Sequence, residues 1–245
     1  LPWYRRITDK LNISQEEDQK ATDFLSTLLT SEALTLDELK EIITGRPAIV
    51  LGAGPSLAED IIRLQEASLL DRFCLIAADG ATTGLLRVGR VLPQIVATDL
   101  DGRVEDQVLV SRGGCTVVIH GHGDNMPAMK AYVPRFKRRI GSTQVEPKPN
   151  VYSFGGFTDG DRAAFLAVEM GASALVLVGM DFGNIVGEYS KPQFHVSALK
   201  HEKLGIGLEL LEWLATRTRI PLYNATRRGV PVSYTHLRAH ETVLD

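Results

Sequence analysis

Asp99 and Asp101 stand two residues apart just behind an apolar run, in Ala97-Thr98-Asp99-Leu100-Asp101-Gly102. In extended chain, carboxylates at i and i+2 point to the same side, roughly 6–7 Å apart. Two such charges repel unless a cation sits with them. Oxygen-only ligands suit Mg²⁺, which keeps several waters and takes one or two carboxylates plus substrate phosphates. The competing reading is a solvated Asp-Gly turn. Asp79 closes another apolar run, in Ala77-Ala78-Asp79-Gly80-Ala81.

A first run ends in Gly52-Ala53-Gly54-Pro55-Ser56. A glycine turn opening a helix presents unpaired backbone N–H groups and the positive dipole end, which suits a phosphate. Gly52, Gly54 and Ser56 are therefore candidate phosphate ligands, with a ligand-free tight turn as the alternative. Ser56 with Glu59 also has capping-box spacing. Leu57 stands where a dinucleotide fingerprint keeps its third glycine, and no GxxxxGK[ST] occurs. Asp79 lies a little over 20 residues on, roughly where a Rossmann protein keeps its ribose-binding acid, so an NAD-dependent protein competes. Hydride transfer, however, has no use for the Asp99/Asp101 pair.

Further polar clusters follow later runs. His120-Gly121-His122-Gly123-Asp124-Asn125 mimics the HxHxDH zinc motif of metallo-β-lactamase-like hydrolases, with Asn125 in place of the last histidine. Zinc needs at least three N or S ligands, and His195 and His201 are the remaining candidates before the C-terminal tail. The alternating element order also does not suit that layered sandwich. A glycine-spaced loop using Asp124 or Asn125 to bind substrate is the preferred reading. Phe154-Gly155-Gly156-Phe157-Thr158-Asp159-Gly160-Asp161-Arg162 leads into an apolar helix, and its acids either serve a ligand or cap that helix. Gly179-Met180-Asp181-Phe182-Gly183 contains the letters DFG, but no HRD loop and no glycine-rich loop with its strand lysine accompanies them. Protein kinase is rejected.

The elements that must position these residues form a regular series. Apolar runs at Ala48–Leu51, Phe73–Ala78, Gln94–Ala97, Thr116–His120, Val151–Phe154, Ala174–Val178 and Ile220–Tyr223 alternate with helical patterns, notably Leu57–Leu70, Asp161–Met170 and Val196–Thr216. Uninterrupted apolar strands alternating with helices predict an α/β fold, a mostly parallel sheet covered on both faces, with ligands at the carboxyl ends of the strands. Residues 1–45 read as a helical N-terminal cap, with capping boxes at Ser14/Glu17 and Thr35/Glu38 and a stop at Gly45. Residues 46–231 form the α/β domain. Residues 232–245 (VSYTHLRAHETVLD) look like translated sequencing-adapter read-through and are set aside, with His236 and His240. The sequence is expected to lack its natural C-terminus, and Leu1 in place of Met points to an incomplete N-terminus.

The 245 residues are 44% hydrophobic and 23% charged with a net charge of −3, which argues against disorder, a disulfide scaffold, and any overall field that would attract nucleic acid or an anionic membrane. Cys74 and Cys115 lie inside apolar runs and read as buried thiols in a reducing cytoplasm. No run of about 18 apolar residues and no signal-peptide core is present, so the expectation is a cytoplasmic protein without membrane association.

Taken in order, GAGPSL, ADGA, TDLDG, HGHGDN, FGGFTDGDR and GMDFG with a downstream GEYS resemble the archaeal-type 6-hydroxymethyl-7,8-dihydropterin pyrophosphokinases from Trp3 to about Pro231. That family is similar to the catalytic domain of thiamin pyrophosphokinase. The ADGGAN, GDFDS and late TD motifs of that domain line up with Asp79-Gly80-Ala81, Thr98-Asp99-Leu100-Asp101 and Thr158-Asp159. Thr98 and Gly102 depart from the thiamin-type motif, which has Gly and Ser there, and favour the pterin branch. The resemblance implies Mg²⁺-dependent transfer of diphosphate from ATP to 6-hydroxymethyl-7,8-dihydropterin, releasing AMP, in tetrahydromethanopterin or folate-type synthesis. On that footing Asp99, Asp101 and Asp79 hold the metal, and Gly52, Gly54, Ser56 and Gly80 bind phosphate. Thr158, Asp159 and Asp161 position ATP or a second metal, Arg162 offsets phosphate charge, and Asp124 or Asn125 grips the pterin. A homodimer is what the thiamin-type relatives imply. The rival readings are an NAD-binding or a nucleotide-sugar-binding Rossmann-like protein.

Overall fold

The computed structural model describes residues 2–29, 33–183, 185–190 and 198–227. His195 and the tail at 232–245 lie outside the described residues. Three helices come first, α1 (Pro2–Leu11), α2 (Gln15–Leu28) and α3 (Leu36–Ile43). Ser14 accepts from the Glu17 N–H at the start of α2, and Thr35 and Glu38 cap α3 reciprocally. Gly45, at φ 74°, ends that segment by donating to the Gly171 carbonyl.

Strands and helices then alternate. They are β1 (Pro47–Leu51), α4 (Leu57–Glu66), β2 (Cys74–Ala78), α5 (Ala81–Gly84), β3 (Ile95–Thr98), α6 (Val104–Arg112), β4 (Thr116–His120), α7 (Met126–Tyr132), β5 (Arg139–Ser142), β6 (Val151–Tyr152), α8 (Asp159–Glu169), β7 (Ala174–Val178), α9 (Ala198–Arg217) and β8 (Leu222–Asn224). Among the described residues the strands make one parallel sheet in the order β6-β5-β4-β3-β2-β1-β7-β8. The chain walks outward from β1 to β6, and α8 then carries it back to β7 on the other side of β1. α8 crosses against β1, β2 and β3. Its buried face is built from Ala163, Ala164 and Ala167, whose small side chains allow close approach.

The N-terminal helices share the core of the α/β layer. Leu25 of α2 and Leu29 just after it pack with Leu100, Val104 and Ile119, and Leu39 and Ile43 of α3 pack with Ala48, Val50 and Ile76. Cys74 and Cys115 are buried free thiols, and burial pushes the Cys74 thiol up to about 11. No helix among the described residues is long and apolar enough to cross a membrane.

Two strands differ from the sequence pattern. β5 is hidden by Arg138-Arg139 and Gly141, which break its apolar run, yet Arg139 is buried and satisfies the Phe136 carbonyl at 2.6 Å. β6 stops at Tyr152, because Gly155 and Gly156, at φ 94° and 81°, turn the chain toward α8. The hub of the β1 side is Leu57, fully buried, with Gly84 and Gly179 packed so tightly on it that a Cβ on either would stand 2.7 or 3.1 Å from its atoms. Leu57→Ala is expected to lower unfolding stability by about 2–5 kcal/mol in urea titration. A loss below about 1 kcal/mol would refute this packing role.

Candidate active site

The carboxylates that follow β2 and β3 converge. One oxygen each from Asp79, Asp99 and Asp101 lies within 4.8 Å of the others. Backbone geometry produces this. Asp79 takes φ 38° and Leu100, between the other two acids, φ 67°, left-handed conformations that cost a non-glycine residue roughly 1–2 kcal/mol each. The Thr98 hydroxyl pins both turns: it accepts from the Leu100 N–H at 2.9 Å and donates to Asp79 Oδ1 at 2.8 Å. Gln107 of α6 donates to the same oxygen at 2.6 Å. The other oxygen, Oδ2, lies over Gly102, where a Cβ would stand 2.2 Å away. The Thr98 and Gly102 departures thus have a common physical role, since the first supplies a hydroxyl and the second leaves room for the carboxylate.

The His120–Asn125 loop buttresses the cluster. Asn125 is buried and its amide donates to the Asp99 carbonyl at 2.8 Å and the His120 carbonyl at 2.7 Å, while its oxygen accepts from the His122 N–H at 3.1 Å. These bonds give Asn125 a loop-closing role in place of the expected pterin contact. Asp124 is at the exposed edge of the turn. His122 Nε2 stands 3.6 Å from Asp99 Oδ2. Asp18 of α2, which no motif in the sequence singles out, holds this loop in place. It accepts from the Gly123 N–H at 2.9 Å, from the Gln144 amide at 2.8 Å and from the Tyr4 hydroxyl at 2.8 Å.

The glycine turn before α4 departs from the phosphate-cradle expectation. Gly52 N–H donates to the Val178 carbonyl, Gly54 N–H to the Gly179 carbonyl and Leu57 N–H to the Gly54 carbonyl. The Ser56 N–H and hydroxyl both reach Asp181 Oδ2, at 3.2 and 3.0 Å, and that hydroxyl also lies 2.8 Å from Asp60. The anion at this helix start is therefore the chain's own Asp181, and the Ser56/Glu59 capping box does not form. Gly54 is small because a Cβ would stand 2.0 Å from Asp181 Oδ2. Gly80 is small because a Cβ would stand 2.0 Å from the Tyr189 carbonyl of the GEYS segment. Gly52, Gly54, Ser56 and Gly80 thus serve close packing between loops.

At the start of α8 two acids divide. Asp161 is fully buried and turns back to accept from the Phe157 and Thr158 N–H groups, at 2.6 and 2.8 Å, and from the Thr158 hydroxyl. Thr158 and Asp161 are a helix cap, not ligand contacts. Asp159 faces the other way. Burial lifts its carboxyl well above the usual range, and the charges of Asp99, Asp79 and Asp101 add to the lift against the opposing Arg162 guanidinium, which lies 3.4 Å away. Asp159 and Arg162 line a cleft with His120, Ser142, Phe154 and Gly155.

Comparison with known proteins assigns the chain. The family model described as MptE-like 6-hydroxymethylpterin diphosphokinase matches residues 24–187. The chain belongs to this family. It is 46% identical over 224 residues to the 6-hydroxymethyl-7,8-dihydropterin pyrophosphokinase of Pyrococcus furiosus, covering 89% of this chain and 94% of that protein. The enzymes of the same name from Methanothermobacter thermautotrophicus and Methanocaldococcus jannaschii are 41% and 35% identical, over 87% and 89% of this chain and 93% and 95% of theirs. Among solved structures, the MAf glycosyltransferase of Magnetospirillum magneticum is similar in fold, with TM-score 0.52 and 18% identity, over 86% of this chain and 37% of that one.

The three-acid cluster fits a divalent cation. Every donor is oxygen, and burial, then the charges of Asp101 and Asp99, push Asp79 up to about 7, as expected where negative charges are held together. A carboxyl raised from 3.8 in this way stabilises the fold while protonated and loses that contribution as pH rises through the folded value. In chelator, wild-type protein should lose melting temperature relative to Asp79→Asn as pH rises from 3.8 to about 7, and Mg²⁺ should restore the wild type alone by binding the folded state. A difference between the two proteins that stays flat across this pH range, or equal Mg²⁺ effects on both, would exclude the cluster as a cation site.

Proposed function

We propose that the chain transfers diphosphate from ATP to 6-hydroxymethyl-7,8-dihydropterin, releasing AMP, with Asp79, Asp99 and Asp101 holding Mg²⁺. The observation that carries the reading is the convergence of these three carboxylates in a chain of the pterin diphosphokinase family. The hydroxymethyl oxygen forms a bond to the β-phosphorus, the bond from that phosphorus to the α–β bridging oxygen breaks, and AMP leaves with the electron pair. The hydroxyl proton passes to solvent. Such a transfer asks the protein mainly for in-line positioning and charge stabilisation. Mg²⁺ in this site supplies the neutralisation of phosphate oxygens as charge moves to the leaving group.

The chain's own residues do the placing. Thr98 and Gln107 orient Asp79 through one oxygen and leave the other directed over Gly102. Asn125 ties the backbone of Asp99 to the end of β4. With the glycine turn engaged internally, phosphate contact falls to the side of the cluster where His122 stands beside Asp99, so the expected nucleotide position moves from β1 toward β3 and β4.

The decisive assay is AMP release from ATP with Mg²⁺, with and without the hydroxymethyl pterin. Pterin-dependent AMP is expected, and its absence would overturn the assignment, as would reduction of a nicotinamide cofactor in its stead. Asp101→Asn should fold normally and lose at least about a hundredfold in turnover, and near-normal activity at low Mg²⁺ would reject its metal role. Gly102→Ala, whose Cβ must displace Asp79 Oδ2 from 2.2 Å, should cost about a hundredfold in turnover with the thermal melt retained. Unchanged turnover would show that the position of Asp79 is not critical.

A further inference from the structure

The two histidines of the His120–Asn125 loop have different surroundings, and those of His120 are the informative ones. His120 is 2% exposed. Its Nδ1 is 3.1 Å from the Ser142 hydroxyl, which itself donates to the Ile119 carbonyl at 3.5 Å. When the serine proton goes to that carbonyl, the serine oxygen accepts from Nδ1–H, and this tautomer leaves Nε2 with a bare lone pair. Burial, reinforced by Arg162 and His122, holds the imidazole well below its usual range and hence neutral. Nε2 has no hydrogen-bond partner among the described residues.

Across the same cleft the Arg162 Nε is also buried without a partner, while its other nitrogens reach Asp159 and Gln144, each at 3.4 Å. The cleft thus presents an orphaned acceptor, an orphaned donor and a carboxyl group between Phe154 and the apolar side chains of Val118 and Leu166. A buried polar atom left unpaired costs about 1–3 kcal/mol, so two of them facing one space point to a ligand that satisfies both. The cleft opens beside Thr98, next to the acid cluster.

Resting on the diphosphokinase reading above, we propose that this cleft takes the amino-amide edge of the pterin, with His120 Nε2 and the Asp159 carboxyl accepting from ring N–H and amino groups and Arg162 Nε–H donating to the ring oxygen. Two acceptors and one donor complement an edge that carries two donors and one acceptor, and an aromatic and apolar wall suits a flat heterocycle. His120 is thereby a specificity-determining residue that acts through Nε2. The cleft has room for about one water molecule, so the proposal requires the Phe154–Gly155 segment to shift as the ring enters, where Gly155 and Gly156 take positive φ.

The test is pterin binding by the full chain, followed by ligand fluorescence without ATP, together with steady-state AMP release. Asn reproduces the Nδ1 position of histidine and Gln the Nε2 position. His120→Asn is expected to weaken pterin binding and raise the pterin KM at least about tenfold with the ATP KM unchanged, and His120→Gln to recover most of the loss. Wild type should likewise bind a ring lacking the 2-amino group at least about tenfold more weakly, a measurement that does not depend on any variant folding. Pterin binding within twofold of wild type in folded His120→Asn, or equal wild-type affinity for the two rings, would overturn the inference and leave the diphosphokinase reading intact. A wild-type chain that neither binds the pterin nor releases AMP with it would overturn both.

Discussion

Mutual repulsion among carboxylates at one rim of the sheet is the constraint around which this chain is organised. Two unit charges 4 Å apart oppose each other by about 4 kcal/mol at an effective dielectric of 20, and Asp79, Asp99 and Asp101 each bring one oxygen within 4.8 Å of the others. Left to themselves these side chains would rotate apart. They are restrained by left-handed backbone at two positions, by a threonine hydroxyl bonded in two directions and by the Gln107 amide, with Gly102 leaving room for the remaining oxygen of Asp79. The fold accepts local strain so that the cluster is assembled before any ligand arrives, as is usual where strain gathers at functional sites.

The same chemistry is handled oppositely two strands away. In open parallel sheets the crevice where strand order reverses is the usual ligand site, which here lies between β1 and β7. That crevice is filled from within: Asp181 occupies the helix start, and Gly187 and Tyr189 press on the glycine turn and on Gly80. With its own carboxylate taking the place of an external anion, this region becomes scaffold. Chemistry is displaced toward β2, β3 and β4, where α8 delivers Asp159 and Arg162 from beneath.

Much of this was legible in the residues, for identifiable reasons. Strands buried on both faces read as plain apolar runs, so all but β5 stand out, and acids immediately after such runs must share one edge of the sheet. Asp79, Asp99 and Asp101 could be grouped on that ground alone. Hydrogen-bond bookkeeping was not legible. Whether Ser56, Asn125 or Asp161 faces a ligand or its own backbone depends on partners as distant as Asp181, Asp99 and Phe157, and a local motif looks the same in either case. Asp18 was invisible because nothing near it in the chain uses its carboxylate.

Asp18 also bears on how the molecule assembles as it is made. Its partners Gly123 and Gln144 lie 105 and 126 residues downstream, so α2 leaves the ribosome long before anything exists for it to grip. Contacts of such sequence separation close slowly because loop entropy is lost before they form. Docking of α2 through Asp18 must therefore await the chain as far as Gln144.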